Sequence, residues 1–213
     1  MTKGIGFSPA MVSAIFAGRK NATRRLLPAD GRLPYAPGER LWVRETHFRF
    51  GYWERDWSKP EKEGKRPPLK FVPLSETTFD PPRAPVTARQ GPPSDPDEWA
   101  RPTLYRRAAM FMFESHARLK LVVESCHAED LHDLGHSDAF NEGIAAYSKD
   151  QKLRKFGIPD RDGLPGTDDE GWPWAAWQPT PRDAFIRLWN QIHGDAAFDD
   201  NPRVSVTHFS VDQ

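Results

Sequence analysis

Proline sets the first constraint on this chain. Pro60, Pro67, Pro68, Pro73, Pro81, Pro82, Pro85, Pro92, Pro93 and Pro96 all fall within residues 48–102. Each removes a backbone donor and fixes φ, so neither a helix interior nor a central strand is expected to run through them. The stretch reads as a long irregular insertion with one short strand near residues 69–72. Loops of that length are either functional lids or mobile segments. Across the chain 21 of 213 residues are proline, about twice the usual share of about 5%. Thirteen Phe and eight Trp nevertheless supply the material of a core. Proline and glycine together stay below the roughly 25–30% that marks wholesale disorder. One folded domain over residues 1–213, carrying long loops, is the expectation.

Charge narrows the partners. Thirty Lys and Arg balance 30 Asp and Glu, giving a net charge of zero. That argues against a broad non-specific grip on nucleic acid, though not against a local basic site. The single cysteine allows no internal disulfide and fits a reducing, cytoplasmic compartment. No apolar run approaches the roughly 20 residues of a membrane helix. Residues 10–17 are apolar after Lys3, but they are short for a signal core, lack an A-x-A cleavage site and are succeeded at once by Arg19, Lys20, Arg24 and Arg25.

Local signals place the elements. Ser8 is a helix cap, Pro9 suits the first helical position, and Met11, Val12, Ile15 and Phe16 share one face up to the stop at Gly18. Residues 19–25 are then expected as an exposed basic stretch leaving the helix end. Pro37-Gly38 is a turn, leading into a strand over residues 40–46. Strand character returns over 117–124. Ser137 caps a short helix over 138–141 that ends at Gly143. Residues 147–178 form a second irregular insertion. Thr180-Pro181 opens a helix whose buried stripe is Phe185, Leu188, Trp189 and Ile192, ended by Gly194. A strand over 203–211 closes the chain. With few strands and no β-α-β rhythm, the fold class is α+β: a small mixed, barrel-like sheet with flanking helices.

Gly18-Arg19-Lys20-Asn21-Ala22-Thr23-Arg24-Arg25 carries the chemistry. A Lys that loses solvent or sits beside other cations has a lowered pKa and can accept a proton. Thr23, three residues on, offers the hydroxyl that such a base activates, as in Ser–Lys dyads. A solvated basic turn is the plain alternative. Cys126, His127, His132 and His136 with Asp130 and Asp133 invite a metal, but they contain neither a paired C-x-x-C nor H-E-x-x-H, so no metal and no cofactor are assigned. Trp172, Trp174 and Trp177 either stack on a nucleobase or pin a loop to the core, and the second is favoured because Trp is mostly buried. Residues 157–171 are glycine-rich without a phosphate-loop arrangement.

The G-x-K-x-x-T-x-R spacing from Gly18 to Arg25 resembles the signature of the ASCH domain superfamily, in which Glu is common where this chain has Thr23. A subgroup similar to small bacterial N4-acetylcytidine amidohydrolases also carries Thr there and uses Lys, Thr and Glu. The resemblance extends to the strand over residues 37–46, to the segment 131–144, and to the helix, Asn201-Pro202 and last strand at the C-terminal end, all in the family's order. Both insertions lie outside it, and residues 112–118 depart from the family's pattern. What the resemblance implies is a PUA-like β-barrel, a catalytic set of Lys20, Thr23 and Glu142, and hydrolysis of N4-acylated cytosine nucleosides without a metal. In that scheme Lys20 activates Thr23 for attack on the acyl carbonyl, while Glu142 protonates the departing amine and later activates water. A variant has water attack directly, with Thr23 orienting it. As a proton donor Glu142 needs a raised pKa, which an adjoining Trp or Phe would supply by desolvation. Arg25 is a candidate to hold the oxyanion, and Arg44 and Glu45, at a strand end, to hold the base edge or sugar. An ordinary cross-strand ion pair is the alternative for the last two. The second functional reading is an ASCH-like RNA-binding module, with ribonuclease activity in some members. Its binding would fall steeply with salt.

Overall fold

The structure is a computed structural model. It describes residues 2–59, 66–81, 86–150, 152–167 and 171–212. The chain divides into two compact units, Met1–Val43 with Arg118–Gln213, and Arg44–Ala117.

The first unit opens with β1 (Lys3–Gly6) and α1 (Pro9–Phe16). Ser8 caps α1 by accepting from the Met11 amide at 3.4 Å, and Pro9 occupies its first turn, where a missing N–H costs nothing. Gly18, at φ 68°, turns the chain out of the helix. The chain then enters β2 (Ala22–Leu26), so the basic stretch expected to be exposed is instead a strand in which Ala22, Thr23 and Arg24 are buried. A charge run says nothing of what faces it, and here carboxylates do. Next come β3 (Arg40–Arg44) and, past the second unit, the long strand of residues Lys120–Asp130 and the last strand, Arg203–Val211.

The second unit occupies most of the segment read as irregular. It holds β4 (His47–Arg55), β5 (Leu69–Pro73) and β6 (Thr103–Arg107) in the order β5-β4-β6, both pairings antiparallel. The prolines had hidden this sheet, because β4 itself contains none and β5 meets its proline only at its end. Trp53, Phe71 and Tyr105 pack edge-on, with ring centroids 5.3–6.0 Å apart. Gly51 lies so close to β5 that a Cβ there would stand 2.3 Å from the Val72 carbonyl oxygen.

Numbered in chain order, the strand Lys120–Asp130 is β7, and the remaining elements of the first unit are α2 (His136–Asn141), β8 (Ala145–Lys149), β9 (Leu153–Gly157), α3 (Pro181–His193) and β10 (Arg203–Val211). The main sheet runs β1-β3-β7-β10-β2, with β10 antiparallel to β7 and β2, and β3 antiparallel to β7. Among the described residues no pairing closes this sheet, so the architecture is mixed α+β with an open sheet rather than the expected barrel. Its edges, β1 and β2, are only four and five residues long. Leu41, Val43, Leu121, Val123, Val204 and Val206 pack with Val12 and Ile15 of α1, all at most 2% exposed. Each such side chain contributes about 1.5–3 kcal/mol by burial.

Two smaller expectations shift. The insertion at 147–178 begins with the β8–β9 hairpin, and its Trp177 is pinned in the core, donating from Nε1 to the Trp172 carbonyl at 2.8 Å. In α3, capped by Thr180 as expected, the buried face is Pro181, Ala184, Phe185 and Trp189, while Ile192 is 66% exposed because it lies past the last packed turn.

Candidate active site

Three pieces of chain converge on one buried point. After Gly18 the backbone returns along α1, the Lys20 amide donating to the Ala14 carbonyl at 3.1 Å. Lys20 then pairs with Glu142 in an isolated antiparallel bridge, and the Asn21 amide donates to the Asn141 carbonyl at 3.0 Å. Glu142 is the C-terminal cap residue of α2, and Gly143 after it has φ 99°. That turn demands glycine twice over, through its left-handed φ and because a Cβ would stand 3.3 Å from both Ala14 Cβ and Met11 Sδ. The glycine that ends α2 thereby seats the Glu against α1.

The Lys20 ammonium uses all three of its protons. It donates to Glu142 Oε2 at 2.9 Å, to the Glu142 carbonyl at 2.9 Å and to the Ala22 carbonyl at 2.8 Å. The two side chains are 3% and 5% exposed. Burial pushes the Lys20 ammonium pKa below its ordinary value, Glu142 opposes the shift, and Arg25 and Arg24 add to it.

Arg24 completes the cluster and is the residue that sequence reasoning passed over. Its guanidinium is buried and meets three carboxylates: Nε donates to Glu129 Oε1 at 2.8 Å, Nη1 to Glu142 Oε1 at 3.3 Å and Nη2 to Asp138 Oδ2 at 3.2 Å. Asp138 Oδ2 also accepts from the Gly135 amide at 3.0 Å, securing the start of α2. Thus both oxygens of Glu142 are held, one by Lys20 and one by Arg24. No local signal marks Arg24, since strand alternation does not say which of the adjacent Arg24 and Arg25 is the buried one. Its partners lie 105–118 residues away and carry no local mark.

Lys20, Thr23, Arg24, Arg25 and Glu142 line one cavity of about 560 Å³. Thr23 sits opposite Thr207 of β10, is 6% exposed, and its hydroxyl makes no hydrogen bond to a described residue. Arg25 donates to the Gly6 carbonyl at 2.5 Å and lies over the Phe7 ring at 5.5 Å. The opposite wall is apolar, including Trp172, Phe185 and Trp189. The arrangement offers a hydroxyl facing a pocket, a buried Lys–carboxylate pair that can pass a proton, and an apolar wall for a planar or acyl group.

The other candidates are not among the residues lining this cavity. Arg44 and Glu45 belong to the second unit, where the buried Glu45 donates its amide to Met112 Sδ at 3.4 Å. Cys126 contacts Thr207 Oγ1 at 3.4 Å, His132 Nε2 lies 2.8 Å from the Phe198 carbonyl, and His127 is 3.4 Å from Glu129. Among the described residues no three His, Cys, Asp or Glu are grouped to hold a metal. No described helix is long and apolar enough to cross a membrane.

Comparison with protein-family models, curated proteins and solved structures finds no match to this chain.

Proposed function

We propose that the first unit is an amidohydrolase that removes the acyl group from N4-acylated cytosine nucleosides, on a PUA-like fold whose sheet is left open. The observation that carries this reading is the buried Lys20–Glu142 contact of 2.9 Å in the same cavity as a Thr23 hydroxyl that makes no hydrogen bond to a described residue.

The contact suggests how the base is made. Transfer of one proton from Lys20 Nζ to Glu142 Oε2 yields a neutral amine and a neutral carboxylic acid. The amine takes the Thr23 proton as Oγ attacks the acyl carbon. The C–N bond then breaks while Glu142 gives its proton to the leaving N4, releasing cytidine and leaving an ester on Thr23. Glu142, now a carboxylate, takes a proton from water. The hydroxide attacks the ester, and Lys20 returns its proton to Thr23 as the carboxylic acid departs. The pair ends as the neutral amine and acid, and return of the proton from Glu142 to Lys20 restores its resting charges. The Arg25 guanidinium is the nearby cation for the oxyanion, and Arg24 holds Glu142 toward the pocket.

The test is cytidine release from N4-acetylcytidine and longer-acyl homologues by chelator-treated protein, with Thr23→Ala and Lys20→Met alongside. Expected is turnover that survives the chelator and is lost in both variants while their folds persist. Absence of turnover on every acyl cytidine overturns the reading. RNA binding that weakens steeply with salt would then favour the RNA-binding alternative.

A further inference from the structure

The second unit holds a different kind of cavity. About 280 Å³ in volume, it is lined by His47, Arg49, Arg107, Met110, Phe111 and Phe113, among others, and none of its lining residues is acidic. Arg107 sits at the end of β6 with its guanidinium 4.7–4.9 Å from the ring centres of Trp53, Phe71 and Phe111. It makes no hydrogen bond or ion pair with a described residue. Arg49 spends two N–H groups on the Ser75 carbonyl, at 2.9 and 3.3 Å, and likewise lacks a carboxylate partner among the described residues. His47 is buried, with Nδ1 3.2 Å from the Glu45 carbonyl, which leaves Nε2 as its remaining polar atom. Burial holds its pKa below the ordinary histidine value against the Glu45 carbonyl contact, and the neighbouring Arg107, Arg49 and His116 add to the shift. Rings fix Arg107 in position without using its N–H donors, so its geometry is set and its charge is left for something else.

We propose that this cavity is a binding site for the phosphate group of a small phosphorylated molecule, seated on Arg107 and Arg49. Two permanently charged guanidiniums call for a dianion, since a carboxylate would leave one of them uncompensated. Met110, Phe111 and Phe113, 52–71% exposed beside the cations, form an apolar rim for the organic part. The assignment is independent of the chemistry proposed for the first unit.

Calorimetric titration of the full chain with inorganic phosphate, phenyl phosphate and acetate tests it. Phosphate is expected to bind and acetate not to. Tighter binding of phenyl phosphate would mark a phosphomonoester as the ligand, and equal binding would mark free phosphate. Arg107→Met should weaken the phosphate Kd about 10- to 100-fold, as expected for loss of a charge-assisted hydrogen bond. Arg49→Gln, nearer the surface, should act in the same direction if Arg107→Met fails to fold. Thr23→Ala should leave phosphate binding unchanged. No phosphate binding, acetate binding as tight as phosphate, or affinity untouched by the arginine substitutions would overturn the proposal.

Discussion

Lys20 and Arg24 in the first unit face Glu142, Asp138 and Glu129, whereas Arg49 and Arg107 in the second face aromatic rings, a backbone carbonyl and each other's charge. Both sets of cations line cavities, but among the described residues only the first set is matched by carboxylates. A buried cation bound to carboxylates is locked: Arg24 orients its three carboxylates, and Lys20 shares a hydrogen bond with one of them. A cation positioned by rings, with its donors unspent, attracts an anion from outside. Charge count alone does not separate these cases. What separates them is whether the neighbours already satisfy the N–H groups.

The sharpest way to break this contrast is Glu142→Ala. It leaves Lys20 and Arg24 buried with less compensation, and urea unfolding should report a loss of about 3–5 kcal/mol. Cytidine release should fall by at least about 10²-fold, the contribution of a positioned acid–base group. If stability is unchanged, the pair is not locked as described. Arg107→Met should behave differently. It forfeits ring contacts and no ion pair with a described residue, so the same unfolding measurement should move by only about 1 kcal/mol. A loss as large as that for Glu142→Ala would mean that the second-unit cation is structural.

The two units should also differ in pH response. His47 has a folded pKa below its unfolded value, so the unfolded chain binds more protons and stability falls as pH drops below about 6.5. The stability difference between wild type and His47→Gln, measured by urea titration, should narrow or reverse over that range. Lys20 is likewise lowered, so its stabilising contribution is complete only above about 10.5 and declines as pH falls through its folded value. In the proposed mechanism the pair works with one shared proton, so kcat/KM should fall as pH rises through the loss of that proton, at an apparent pKa below that of free lysine. A rate independent of pH up to about 10 would remove Lys20 from the proton transfer. Smallest of all, Ile192→Ser at the exposed end of α3 should change stability by less than about 0.5 kcal/mol.

Much of the first unit was legible because its signals are local. Ser8-Pro9 and Thr180-Pro181 announce α1 and α3, Gly18 and Gly194 mark their ends, and the strand over 203–211 is found as read. Lys20 and Thr23, nominated from one motif, and Glu142, nominated from a distant segment, line one cavity. Two things were illegible. The burial of Lys20 and Arg24 depends on carboxylates more than a hundred residues away, and a basic run by itself suggests solvent. The β5-β4-β6 sheet was masked by proline-dense connections, although Phe48, Phe50 and Tyr52 alternate along β4 in the open interval before Pro60. Arg107, in the short strand just past the expected insertion, carried no motif, and its role comes from the rings around it.

The backbone bridge between Lys20 and Glu142 has a kinetic consequence. The site exists only once a loop of 122 residues, with the second unit inside it, has closed. Loop closure over that span is slow to reward the chain, and contacts so distant in sequence form late. During refolding, helical signal and tryptophan burial should therefore recover before enzymatic turnover does. Cutting the chain within the second unit should harm the rate of regaining turnover more than the turnover finally reached.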